Sequence, residues 1–84
     1  MNDYQCVVVL AGNRREADEW RKAEGLRKQD WIYAGSPRSI EGICPTRVVS
    51  LSGAHHHWYA YQLEQVVRRT LVKQKTPAEI EYLP

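Results

Sequence analysis

Three apolar stretches in this chain each end in a small residue and a glycine, and each is followed by polar, mostly basic residues. They are Cys6 to Gly12 before Asn13-Arg14-Arg15, Trp31 to Gly35 before Ser36-Pro37-Arg38, and Arg47 to Gly53 before Ala54-His55-His56-His57. The repetition predicts three parallel strands whose C-terminal ends share one polar edge, where an open α/β sheet takes a ligand. Helical patterns lie between the stretches, so the strands are joined by crossovers in a parallel sheet, with order 2-1-3 favoured. The first stretch, around residues 5–11, is a valine-rich run of the kind covered on both faces, which makes it the central strand.

Asn13 is placed to cap a helix, with Glu16 three residues on as the other half of a capping-box-like pair. That helix is expected to run to about Arg27, with Ala17, Trp20 and Ala23 or Glu24 facing inward; Gly25 suggests fraying or an early end. Ser36 and Pro37 read as a cap and first helical position, in a segment too short for more than a turn or two before Cys44-Pro45. A second long helix, residues 58–75, carries Tyr59, Leu63, Val66, Val67, Thr70 and Leu71 on one face. Thr76-Pro77-Ala78-Glu79 is another capping-box pattern and predicts a last helical turn at about residues 77–83. Residues 1–84 are thus expected to form a single α/β domain with a small three-stranded sheet and flanking helices.

At this size a chain buries only about 60–65% of its unfolded surface, so its stability is thin unless another molecule covers a face. A hydrophobic fraction of 43% with 26% charged residues belongs to a folded protein and not to a disordered tail. Three Trp and five Tyr carry the aromatic load without any Phe, and such rings suit interfaces as well as cores. The formal net charge of +2 is too small to imply nucleic acid by itself. Cys6 and Cys44 give no disulfide framework and read as free thiols of a reducing compartment. Met1 to Gln5 carry no signal pattern, and no apolar run approaches about 18 residues. The expectation is a soluble, cytoplasmic protein without membrane contact.

Candidate ligand-binding residues are Asn13, Arg14, Arg15, Ser36, Arg38 and Ser39. They fall at the polar edge, where helix N-termini offer unpaired N–H groups and positive dipole ends to phosphate. Capping alone also explains Asn13 and Ser36, with the arginines solvated. Consecutive residues fan about 100° apart on a helix, so His55, His56 and His57 cannot face one ion, and no metal site is assigned. No nucleophile motif, Gly-Lys-Ser/Thr loop or carboxylate pair marks the edge, so no catalytic residue or cofactor is assigned and an enzyme is disfavoured. Trp58, Tyr59 and Tyr61 cannot all face inward, which makes Trp58 and Tyr61 candidate partner-binding residues; covering the sheet is the alternative.

Val8-Val9-Leu10-Ala11-Gly12-Asn13-Arg14 resembles the strand and loop of motif Ia in superfamily-2 helicases of the DEAD-box type, commonly L-V-L-A-P-T-R. Ala34-Gly35-Ser36-Pro37-Arg38 is similar to their motif Ib, usually A-T-P-G-R, and Arg47 to His55 sits where the Walker B strand and its D-E-A-D would fall. The resemblance covers about residues 6–57 and implies a Rossmann-like, RecA-like fragment in which Arg14 and Arg38 touch the nucleic-acid backbone. Walker A has no counterpart, and Ser52-Gly53 replaces the acidic pair that positions magnesium and water, so the resemblance implies no ATP hydrolysis. In size and style the chain also resembles small orphan α/β proteins of actinobacterial phages, which implies the cytoplasm of a bacterial host. Two main functional expectations result, beside a third, a nucleotide-binding remnant without catalysis. One is a non-enzymatic protein binding single- or double-stranded nucleic-acid backbone at its basic edge. The other is a protein-interaction module, a modulator of a host protein or a homodimer, using the face of the helix at 58–75.

Overall fold

In the computed structural model, which describes residues 6–73 and 79–83, the valine run forms β1 (Val7–Leu10) with every residue buried. The chain continues through α1 (Arg14–Glu24), β2 (Trp31–Tyr33), β3 (Arg47–Ser50), α2 (Ala60–Lys73) and β4 (Ile80–Tyr82). Short 3-10 turns occupy Lys28–Asp30, Pro37–Ile40 and Ala54–His56. All four strands are parallel, in the order β2-β1-β3-β4. The α/β class and the 2-1-3 order are as expected from the sequence; the sheet has a fourth strand that was not.

Side chains alternate across a strand, so β1 feeds two cores at once. Val7 and Val9 pack with Ala17 of α1, Trp31 and Val49 on one face. Val8 and Leu10 pack with Leu63 and Val67 of α2, Ile40 and Val48 on the other. The two long helices therefore cover opposite faces of the sheet.

α1 stops at Glu24, short of Arg27, because Gly25 turns left-handed (φ 73°) and its N–H caps the carbonyls of Arg21 and Lys22. Ala17 is buried and Trp20 half-buried, as the inward stripe requires, whereas Ala23 and Glu24 are exposed. The reversal at Gly25 brings Leu26 against the α1-side core. α2 starts at Ala60 and not at Trp58: the preceding 3-10 turn holds the chain, and the Tyr59 N–H donates to His57 Nδ1 at 2.9 Å. Leu63 and Val67 are buried and Val66, Thr70 and Leu71 half-buried, while Tyr59, ahead of the first turn, is exposed.

The expected C-terminal helical turn is a strand. Thr76, Pro77 and Ala78, which carry most of that capping pattern, lie outside the described residues. Residues 80–82 pair with β3, and the Leu83 N–H donates to the Ser50 carbonyl at 2.9 Å. An open flank on β3 offers backbone partners that a single helical turn cannot match, and side chains add to the pairing. Ile80 packs on the α2-side core. Arg47 donates to Glu81 (Nε–Oε2 2.6 Å) while also facing Glu24 and the Trp20 ring.

The hydrogen bond from Arg47 holds the Glu81 carboxyl below its usual range. A carboxylate depressed in the folded state adds stability above its unfolded pKa, about 4.3, and loses it as the pH falls through the folded value. Glu81→Gln is expected to lower the urea midpoint at neutral pH and to converge with the wild type in acid. Solvent exposure of the pair keeps the difference below about 1 kcal/mol. Urea titrations of both proteins at neutral and acid pH check this, and an offset undiminished in acid would assign the loss to packing.

Candidate functional site

The C-terminal ends of β1 and β3 are held together by one carboxylate. Glu16, in the first turn of α1, accepts from the Gly12 N–H through Oε1 at 2.8 Å and from the Gly53 N–H through Oε2 at 3.0 Å. Asn13 caps the same turn, its Oδ1 accepting from the Glu16 N–H at 2.9 Å. The approach is tight enough to exclude side chains. A Cβ on Gly12 would stand 2.6 Å from the Gly53 carbonyl oxygen, and one on Gly53 would stand 2.5 Å from Glu16 Oε1. These two glycines are thus explained by contact and not by backbone angle. The sequence pattern identified Glu16 as a capping-box partner only; its bond to Gly53, 37 residues away, carries no local signal.

The remaining candidates separate. The Ser36 and Ser39 hydroxyls serve their own 3-10 turn, each accepting from the other's N–H at 3.3 Å, and Ser39 Oγ donates to the Ser36 carbonyl at 2.7 Å. Arg15 faces Glu19 at 3.5 Å on the open side of α1. Arg14 turns toward β2, where a shallow groove of about 260 Å³ is lined by Arg14, Asp18, Arg21, Lys28, Trp31, Ile32 and Tyr33. Arg21 is bound to Asp18 at 2.6 Å and lies over the Trp31 ring. Arg38 stands exposed on the loop after β2 and does not line the groove. Arg14, Lys28 and Arg38 pair with no carboxylate among the described residues. Burial pushes the Tyr33 hydroxyl up, with the nearby Arg14 charge opposing it.

A second groove, about 480 Å³, opens beyond the ends of β1, β3 and β4 against the start of α2. Leu10, Ala11, Leu51 and Leu63 give it an apolar floor, and His55, His57, Tyr61, Glu64 and Tyr82 rim it. It lies where the strand order reverses, the usual ligand crevice of an open α/β sheet. The Nδ1 of His57 accepts the Tyr59 N–H. His55 and His56 lie against one another with ring centres 3.9 Å apart and planes tilted by 42°. Among the described residues no three His, Cys, Asp or Glu side chains converge as metal ligands. Cys6 is buried and Cys44 exposed, both as free thiols. No helix among the described residues is long and apolar enough to cross a membrane.

Both candidate partner residues are strongly exposed to solvent. Trp58 is 87% exposed and Tyr61 73%. Tyr82 joins them from β4: its hydroxyl donates to Glu64 Oε1 at 2.7 Å, and Arg68 reaches both groups. Comparison of the chain with protein-family models, curated proteins and solved structures finds no match.

Glu16→Gln keeps the size of the side chain but turns one acceptor into a donor facing a backbone N–H. Leaving that N–H unpaired costs about 1–3 kcal/mol. Gly12→Ala and Gly53→Ala are expected to destabilise by a similar amount, about 1–3 kcal/mol, through overpacking. Chemical denaturation of the three variants checks both, and wild-type stability in Glu16→Gln would show that the clamp carries no weight.

Proposed function

We propose that this chain acts by binding and not by catalysis, and that its ligand is nucleic-acid backbone held along the basic side of the sheet edge. The observation that carries this reading is the groove beside β2, where Arg14 and Lys28 stand without carboxylate partners among the described residues and Tyr33 lines the wall. Arg38 extends the same charge onto the adjoining loop. The helicase resemblance points to Arg14 and Arg38 by matching position. Because Glu16 already satisfies the Gly12 and Gly53 N–H groups, side chains and not main-chain amides would hold the phosphates. Such contact positions a strand without reading its bases.

Fluorescence anisotropy with labelled single- and double-stranded DNA tests this. Three neutralised phosphates make duplex affinity fall about 40-fold between about 50 and 200 mM salt. Arg14→Ala with Lys28→Ala should weaken binding by at least about tenfold and flatten the salt slope by about two units, with Arg38→Ala taking most of the remainder. Wild-type affinity and slope in the double variant would remove the groove from consideration.

The exposure of Trp58 and Tyr61 favours a second reading, a protein-interaction module that uses the outer face of α2 and the turn before it. Under it, Trp58→Ala or Tyr61→Ala abolishes association in light scattering and pull-down while salt-dependent DNA binding stays as in the wild type. Association unchanged in both variants would count against it.

A further inference from the structure

The exposed residues of α2 follow a pattern that largely repeats itself when the helix is reversed. Tyr61, Gln65, Arg68 and Val72 form its outermost stripe, at the four-, three- and four-residue steps that follow one side of a helix. The two apolar members, Tyr61 and Val72, are 73% and 84% exposed and sit at opposite ends of the stripe, about 16 Å apart along the axis. Reversing the helix about its midpoint, between Val66 and Val67, exchanges these ends and lays Tyr61 over Val72 in both directions. Glu64 and Arg68 share one flank, bonded to each other at 2.7 Å. The same reversal brings each Glu64 within about one residue's rise, roughly 1.5 Å along the axis, of the level of the opposite Arg68. Tyr82, 60% exposed and bound to both groups, widens that flank.

We propose that two copies of this chain associate through α2, packed antiparallel about a two-fold axis, with Tyr61 against the partner's Val72 and Glu64 beside the partner's Arg68. Such a contact is isologous and closes on itself, so it yields a dimer and not a fibre. It rests on reading the α2 face as an interface and commits that face to one occupant. The charge order selects the antiparallel arrangement, because like charges meeting across a contact oppose association.

Sedimentation velocity and light scattering over a wide concentration range test the proposal. The wild type is expected to move from monomer to dimer. Glu64→Arg and Arg68→Glu each place like charges across the axis and should weaken self-association by at least about tenfold. Mixed in equal amounts, these two variants should recover a heterodimer, since Arg at 64 of one then faces Glu at 68 of the other. That recovery cannot come from misfolding, and the internal pair is not restored within either chain. A wild type that stays monomeric overturns the proposal and leaves the α2 face for a different protein, which the Trp58 and Tyr61 variants test separately. A dimer that survives both single substitutions, or a mixture that fails to associate, overturns it as well.

Discussion

Burial of β1 on both faces is the constraint to which the other elements answer. Val7, Val8 and Val9 have no solvent exposure, and burying each valine is worth about 1.5–3 kcal/mol. That gain requires a helix on each face and a paired strand on each flank. α1 meets one face through Ala17, so its backbone can lie close to the sheet, and Trp20, Leu26 and Leu83 close the sides. α2 meets the other face with Leu63 and Val67, and Ile40 from the loop after β2 fills the remaining space. Each element therefore has a place only because the centre of the sheet must be dry.

A strand covered in this way delivers its C-terminal end to the polar edge, where backbone N–H groups from two loops converge. In many α/β proteins such groups are offered to an anionic ligand. Here Glu16 supplies the anion from within the chain and ties the ends of β1 and β3 to the first turn of α1. The N–H groups of the edge are thereby already satisfied, and the charge open to solvent lies on arginine and lysine side chains.

The parts legible in the sequence were those written in local pattern. The valine run, the small-residue and glycine endings, the Asn13 and Ser36 caps and the apolar stripe of α2 each announce themselves within a few residues. The parts that were not legible depend on residues far apart. Ile80, Glu81 and Tyr82 are too few to show a strand period, and the capping pattern before them favours helix; the open flank of β3 decides the matter. Gly12 and Gly53 look like loop punctuation until the Glu16 carboxylate is seen between them. The candidate ligand set divides for the same reason: Asn13, Ser36 and Ser39 are occupied by their own turns, and Lys28 joins Arg14 only because β2 lies beside α1.

The register of β1 has a consequence for how the chain is made. Thr46 Oγ1 accepts from the Cys6 N–H across 40 residues, and Val7 to Leu10 pair with Arg47 to Ser50. During synthesis this apolar segment precedes both of its strand neighbours, and β3 follows it only after about 40 residues. For that interval an uncharged, β-branched stretch presents an unpaired strand edge, the condition under which nascent chains associate wrongly. Packing of these valines against α1 and pairing with β2, both of which precede β3 in the chain, limit that exposure.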